Sequence, residues 1–219
     1  MTYVDLTLQC TVQECDGQTS MPNEARSKDA QITTREVALK SEATAYTGMV
    51  YNVSTSTMVG TYLDLPGHIK ETDDGRHGAN VDLADFAGLD AAVIRLNRSQ
   101  PGGISAADLE AAYGGIPDTP AVIINGLGAL STSDLPNRAV YLELDAVEWL
   151  KKTPCKLLVS DVYESPKLDG VFLQLFAAGI STVCEPANLY KLPAGKVKLT
   201  VLFPKIPITQ LQCAMVAEF

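Results

Sequence analysis

The stretch "STMVGTYLDLPGHIKE", Ser56 to Glu71, places a carboxylate, Asp64, and an imidazole, His68, on either side of a Pro66-Gly67 turn. Proline fixes its φ and offers no N–H, so no α-helix runs through this segment, and a loop is expected. Imidazole is the side chain whose unperturbed titration lies near neutrality, so His68 is the candidate for proton transfer, with Asp64 to orient it. Tyr62 is a candidate hydrogen-bond donor to a developing oxyanion. The plainer alternative has His68 capping a turn, Asp64 bonding backbone amides and Tyr62 filling space.

Upstream, "YVDLTLQCTV" alternates apolar and polar residues and predicts one strand. "QECDGQTSMPNEARSKDAQ" is polar and turn-rich, and predicts a long surface excursion. "REVALKSEATAYTGMVYNVST" predicts one or two strands rich in Val, Thr and Tyr. Downstream, "LADFAGLDAAVIRLN" predicts a helical turn and then a strand, and "ISAADLEAAYG" a helix with Ser105 as its N-cap. "TPAVIINGLG" and "CKLLVSDVYES" read as buried strands, and "LELDAVEWLKKT" and "FLQLFAAGI" as helices, the latter stopped at Gly179. "STVCEPANLYKLP" and "GKVKLTVLFPKIP" add two strands, and "QCAMVAEF" closes the chain as one more. Strands alternating with helices predict an α/β fold, a single compact domain over residues 1–219 with a central β core flanked by helices.

The 219 residues carry a formal charge of −9. That surplus of acid argues against nucleic acid or an anionic membrane as partner, since both attract Lys and Arg. A small-molecule ligand is expected. Cys10, Cys15, Cys155, Cys184 and Cys213 are odd in number and lack C-x-x-C spacing, as reduced thiols would. The N-terminus shows no basic segment leading into an apolar core, and no run of 18 apolar residues occurs, so a soluble cytoplasmic protein is expected.

Polar groups at the ends of buried strands are where α/β proteins build sites. Three ends qualify: Asn125-Gly126, Asp161 with Tyr163 and Glu164, and Cys184-Glu185. His68 and His77 are the only imidazoles, a thin supply for zinc or manganese, and His77 in "DDGRHGAN" reads as an exposed loop residue. A metal site from Asp64, His68 and Cys184 is the alternative. Cys184 reads as a buried, inert thiol, with no second imidazole near in sequence to activate it. "GLG" at 126–128 is too short for a dinucleotide fingerprint and no phosphate loop occurs, so no cofactor is expected.

The segment Met58 to His68 resembles the H-x-G-T-H-x-D-x-P…H hallmark of the cyclase superfamily that includes bacterial kynurenine formamidase and isatin hydrolase. Gly60, Thr61, Asp64, Pro66 and His68 match; Met58 and Tyr62 stand where the hallmark has histidines. "YVDLT", "LDAAVIRLN", "LELDAVEWLKK" and "LFAAGISTVCEPANLYKLP" resemble further family segments in the same order. The resemblance implies a compact α/β domain that assembles as a homodimer or homotetramer. In the family, the histidines and Asp hold a divalent metal that activates water against an amide, lactam or lactone. A further family histidine falls at or near Phe172, and a family Glu on Cys184 or Glu185. A thioether and a phenol do not replace imidazole toward these metals, so no bound metal is expected. What carries over is the pocket, with His68, Asp64 and Tyr62 as catalytic candidates and Met58, Thr61, Phe172, Cys184 and Glu185 as substrate-binding ones.

The leading expectation is a metal-independent enzyme acting on a small, apolar or aromatic carbonyl compound, by cyclisation, ring opening, elimination or isomerisation. A catalytically silent binding homologue or subunit is the second reading, and a metal-dependent amide or lactone hydrolase with an atypical site the third.

Overall fold

The computed structural model describes residues 1–13, 29–130 and 134–219. The predicted excursion falls largely on residues 14–28, outside the described residues. The chain divides into two compact units, Met1–Leu8 with Thr61–Phe219, and Gln9–Gly60.

The elements, in chain order, are β1 Tyr3–Asp5, β2 Thr11–Gln13, β3 Asp29–Lys40, β4 Ala45–Ser54, β5 Tyr62–Asp64, β6 Leu89–Arg95, β7 Gly102–Ile104 and α1 Ala106–Tyr113. There follow β8 Ala121–Asn125, β9 Val140–Leu142, α2 Leu144–Leu150, β10 Leu157–Ser160, α3 Val171–Ala177, β11 Ser181–Cys184, β12 Gly195–Leu202, β13 Gln210–Gln212 and β14 Ala214–Glu218. In the smaller unit β3 and β4 form an antiparallel hairpin, and β2 runs parallel to the start of β3.

The larger unit is built on a nine-stranded sheet in the order β1-β14-β12-β6-β8-β10-β11-β5-β13. Its centre, β6 to β11, is parallel, and the strands on both sides are antiparallel. Single residue Cys213 separates β13 from β14, although the sheet order places them toward opposite ends. The sheet is therefore curled. Its inner face gathers Leu63, Val183 and Leu211 from one end with Leu199, Val201 and Met215 from the other into one apolar core. The outer face carries Ile94, Val122, Ile124 and Leu158 and is covered by Leu109 of α1, Val147 and Leu150 of α2, and Leu175 and Phe176 of α3. This is the α/β fold, with a central β core flanked by helices, that the sequence predicts.

Local chemistry explains most element ends. Ser105 caps α1 as expected: its Oγ accepts from the Asp108 N–H while Asp108 Oδ2 accepts from the Ser105 N–H, and Gly114 closes the helix in the left-handed region at φ 86°. Pro66–His68 forms one turn of 3₁₀ helix and no α-helix, as the proline requires.

Three expectations need correction. "YVDLTLQCTV" is not one strand: β1 ends at Asp5, whose Oδ1 takes the Thr7 N–H, and β2 belongs to the other unit. "QCAMVAEF" is likewise broken at Cys213: Gln212 before it pairs with β5, and Cys213 N–H still bonds Thr61 O beside that strand, whereas Ala214 after it pairs with β12. His77 is half-buried where an exposed loop residue was expected, and its N–H donates to Asn80 Oδ1.

Candidate active site

β5 is three residues long and buried throughout, held between β11 and β13. In this antiparallel register Asp64 faces Thr182 and Gln210, and Tyr62 faces Cys184 and Gln212. Directly opposed residues share a face, as do residues two apart, so these six side chains stand on one side of the sheet. Leu63, Val183 and Leu211 turn to the inner core. The alternation that puts leucine inward thus puts Tyr62 and Asp64 outward, among the helices.

Asp64 is only 3% exposed. Burial raises its carboxyl to about 6, with the His68 charge and hydrogen bonds from Gln210 and Cys184 pulling the other way. Cys184 Sγ lies 3.8 Å from Asp64 Oδ2, and Asp64 Oδ1 is buried with no hydrogen-bond partner. Burial, then the neighbouring Cys184 and Asp64, hold the Tyr62 phenol far above its ordinary range. The Cys184 thiol is likewise pushed well up, by burial first and the Asp64 charge second. Both keep their protons at neutral pH. His68 leaves the sheet on the 3₁₀ turn, with its ring exposed and Nε2 placed 3.3 Å from Gln210 Nε2.

Beside these polar groups lies an aromatic wall. Tyr163 and Phe172 stack with centroids 4.9 Å apart and planes at 25°, and Phe176 tilts onto Phe172 at 5.9 Å. The Tyr163 hydroxyl lies 2.8 Å from Val183 O, which it meets as donor. Tyr62, Tyr163 and Cys184 belong to one apolar cluster, against which Phe172 packs. Gly170, at φ 93°, starts α3 and so sets Phe172; its N–H donates to Glu164 Oε1.

Thr61, Tyr62, Asp64, His68, Phe172, Cys184 and Glu185 all lie in the larger unit, whereas Met58 is an exposed residue of the smaller one. Thr61 spends its hydroxyl inside the chain: it accepts from the Leu8 N–H at 2.7 Å and donates to Glu185 O at 2.8 Å. Glu185, at φ 52°, has already left β11. The other strand ends are occupied in holding loops. Asp161 accepts from the Gly126 and Leu127 N–H groups, and Asn125 Oδ1 accepts from Gly128 N–H. Gln210 is the residue that sequence reading missed. The polar-apolar-polar pattern of "QLQ" was its signal, matching "YLD" of β5, but three residues after a proline-rich loop do not announce a strand.

The donor set does not fit a divalent metal. Among the described residues no three His, Cys, Asp or Glu side chains come together as a metal-binding group. The near neighbours of Asp64 are a phenol and a thiol that hold their protons, an amide, and the single imidazole of His68, fewer metal-ligating groups than a divalent centre takes.

A family model for cyclases, described as "Putative cyclase", matches residues 4–165. No curated protein matches the sequence. Among solved structures, isatin hydrolase A from Labrenzia aggregata, bound to benzyl benzoate, superposes with a TM-score of 0.71 at 18% identity, covering 99% of this chain and 93% of that one. Isatin hydrolase A from Ralstonia solanacearum gives 0.69 at 15% identity, over 99% and 91% of the two chains. A predicted metal-dependent hydrolase from Bacillus stearothermophilus gives 0.68 at 16%, over 99% and 97%. At these identities the likeness is one of fold.

Proposed function

Because the chain belongs to the cyclase family, we propose that it is an enzyme of hydrolase type acting on a small carbonyl compound with apolar or aromatic bulk. It works through acid–base chemistry at Asp64 and His68 without a bound metal. The observation that carries this reading is the placement of buried Asp64 opposite Gln210, whose amide nitrogen lies 3.3 Å from Nε2 of exposed His68, beside Tyr62 and the Tyr163–Phe172 stack.

Each group has a part. A carboxyl raised to about 6 is ionised at neutral pH yet basic enough to accept a proton, the condition a general base requires. Exposed His68 exchanges a proton with the substrate's heteroatom or donates to its carbonyl oxygen. Tyr62, which keeps its proton, donates to the oxyanion as charge develops. Phe172 offers an apolar face to the ring of the substrate, and the benzyl benzoate held by the Labrenzia relative is an aromatic ester of that character.

The test combines elemental analysis with turnover. Purified protein, and the same protein dialysed with Zn²⁺ or Mn²⁺, is assayed against small aromatic amides, lactams and lactones, with and without chelator. Turnover that survives chelation, with far less than one metal per chain, supports the proposal. Stoichiometric metal that is lost on substituting Asp64 or His68 overturns the metal-free mechanism, and no turnover of any compound favours a silent binding homologue.

A further inference from the structure

We propose that the free edge of β4 is the contact through which two copies of this chain pair, antiparallel and about a two-fold axis at Val50. The small sheets of the two copies then run on as one.

The order β2-β3-β4 gives β4 one neighbour, β3, and leaves its other side open among the described residues. Edge strands present a row of N–H and C=O groups to any strand that meets them, and proteins guard such edges with short length, charge, proline or a bulge. β4 has none of these guards. It is ten residues long, "AYTGMVYNVS", without a charged residue or a proline. Its register with β3 runs residue for residue, from Ala45 opposite Lys40 to Ser54 opposite Gln31, so no bulge bends it.

One face of the hairpin is also uncovered. Met49, Tyr51 and Val53 alternate along β4, and Ile32 stands opposite Val53, so the four share a face. They are 49%, 60%, 60% and 40% exposed, in the order named. β2 pairs with β3 only as far as Gln31, and beyond it the hairpin is two-stranded, a form that is marginal in water without a further strand.

Charge selects a second copy as the occupant. The chain carries −9, which sets copies against each other, yet residues 31–54 hold Arg35 and Lys40 against Glu36 and Glu42 and are neutral. Two copies meet there without that repulsion. A cationic partner, the kind an acidic chain attracts, finds no carboxylate on β4 to hold it. Self-pairing also fits the order of side chains. Opposed residues of an antiparallel pair share a face, and in a two-fold pair both strands are the same, so the axis falls between one residue and its own copy. The registers of greatest overlap centre on Met49 and on Val50. Only the second sets Tyr51 of each copy against Met49 of the other, two aromatic–aliphatic pairs on the uncovered face.

The test is the mass of the full chain by sedimentation equilibrium at micromolar concentrations, read beside crosslinking. The wild type is expected at least as a dimer. Met49→Lys with Tyr51→Lys, which sets like charges opposite one another, should halve that mass and leave the far-UV circular dichroism unchanged. In a Cys10→Ser, Cys15→Ser background, mild oxidation should join Val50→Cys copies through a disulfide and leave Asn52→Cys copies, which the register holds apart, unjoined. The crosslinks test the proposal even if the lysine variant does not fold. A monomeric wild type overturns the proposal and leaves β4 to a strand of another protein. A folded lysine variant of unchanged mass overturns it too, and crosslinking at Asn52→Cys but not at Val50→Cys overturns the register.

Discussion

The thiol of Cys184 meets Asp64 diagonally across β11 and β5, with Sγ 3.8 Å from Oδ2. The thiol donates toward the carboxylate, and the carboxylate's charge adds to burial in holding the thiol protonated. A cysteine in this position is a hydrogen-bond donor and not a nucleophile.

Cys184 should therefore resist a thiol reagent at pH 7.5–8 in the native protein, while exposed Cys10 reacts within minutes. Peptide mapping after labelling and denaturation reads both sites. Rapid native labelling of Cys184 would show an open, ionisable thiol and make it a candidate nucleophile.

Asp64→Asn should stabilise the protein at neutral pH while removing turnover. The carboxyl titrates near 3.8 unfolded and about 6 folded, so between these values the native state binds more protons than the unfolded state. Stability then falls as pH rises through that window, and the ionised acid costs on the order of 1–3 kcal/mol above it. The variant's advantage in Tm should be small at pH 4, grow between pH 4 and 6, and level off above. A variant less stable than wild type at pH 7 would mean that the buried carboxylate is a net asset to the fold.

His68→Ala should lower kcat by about 10²–10⁴-fold, the usual worth of a positioned proton-transfer group. Its ring is exposed, so Tm should barely move. Wild-type turnover in this variant removes His68 from the mechanism.

Tyr62→Phe deletes one hydroxyl and keeps the ring in its buried place. If that hydroxyl serves a developing oxyanion, about 2–4 kcal/mol of transition-state stabilisation goes with it, read as a fall in kcat with KM little changed. A loss confined to stability would make Tyr62 a packing residue.

Thr61→Val keeps the shape and removes the hydroxyl that joins Leu8 N–H to Glu185 O. Two backbone groups lose their partner, and urea unfolding should show a loss of roughly 1–3 kcal/mol. Thr61→Ser, which keeps the hydroxyl, should cost under about 1 kcal/mol. A Thr61→Val protein as stable as wild type would mean that the two backbone groups do not depend on the hydroxyl.

The sequence alone determined the α/β class, the Ser105 cap, the buried strands "AVII" and "KLLV", and the non-α turn at Pro66-Gly67 that carries His68, whereas Asp64, expected in the same loop, ends strand β5. These follow from local rules, periodicity, capping and proline geometry, that act within a few residues of chain. Tertiary structure alone decided that Gln210 stands opposite Asp64, that Phe172 stacks on Tyr163, and that Thr61 and Asp161 accept hydrogen bonds from backbone amides. It also split the last predicted strand at Cys213. The reason lies in how sheets form. Strand register and curl are set by pairing and packing between segments remote in the chain, and a three-residue strand such as "QLQ" has too little local preference to reveal its neighbour.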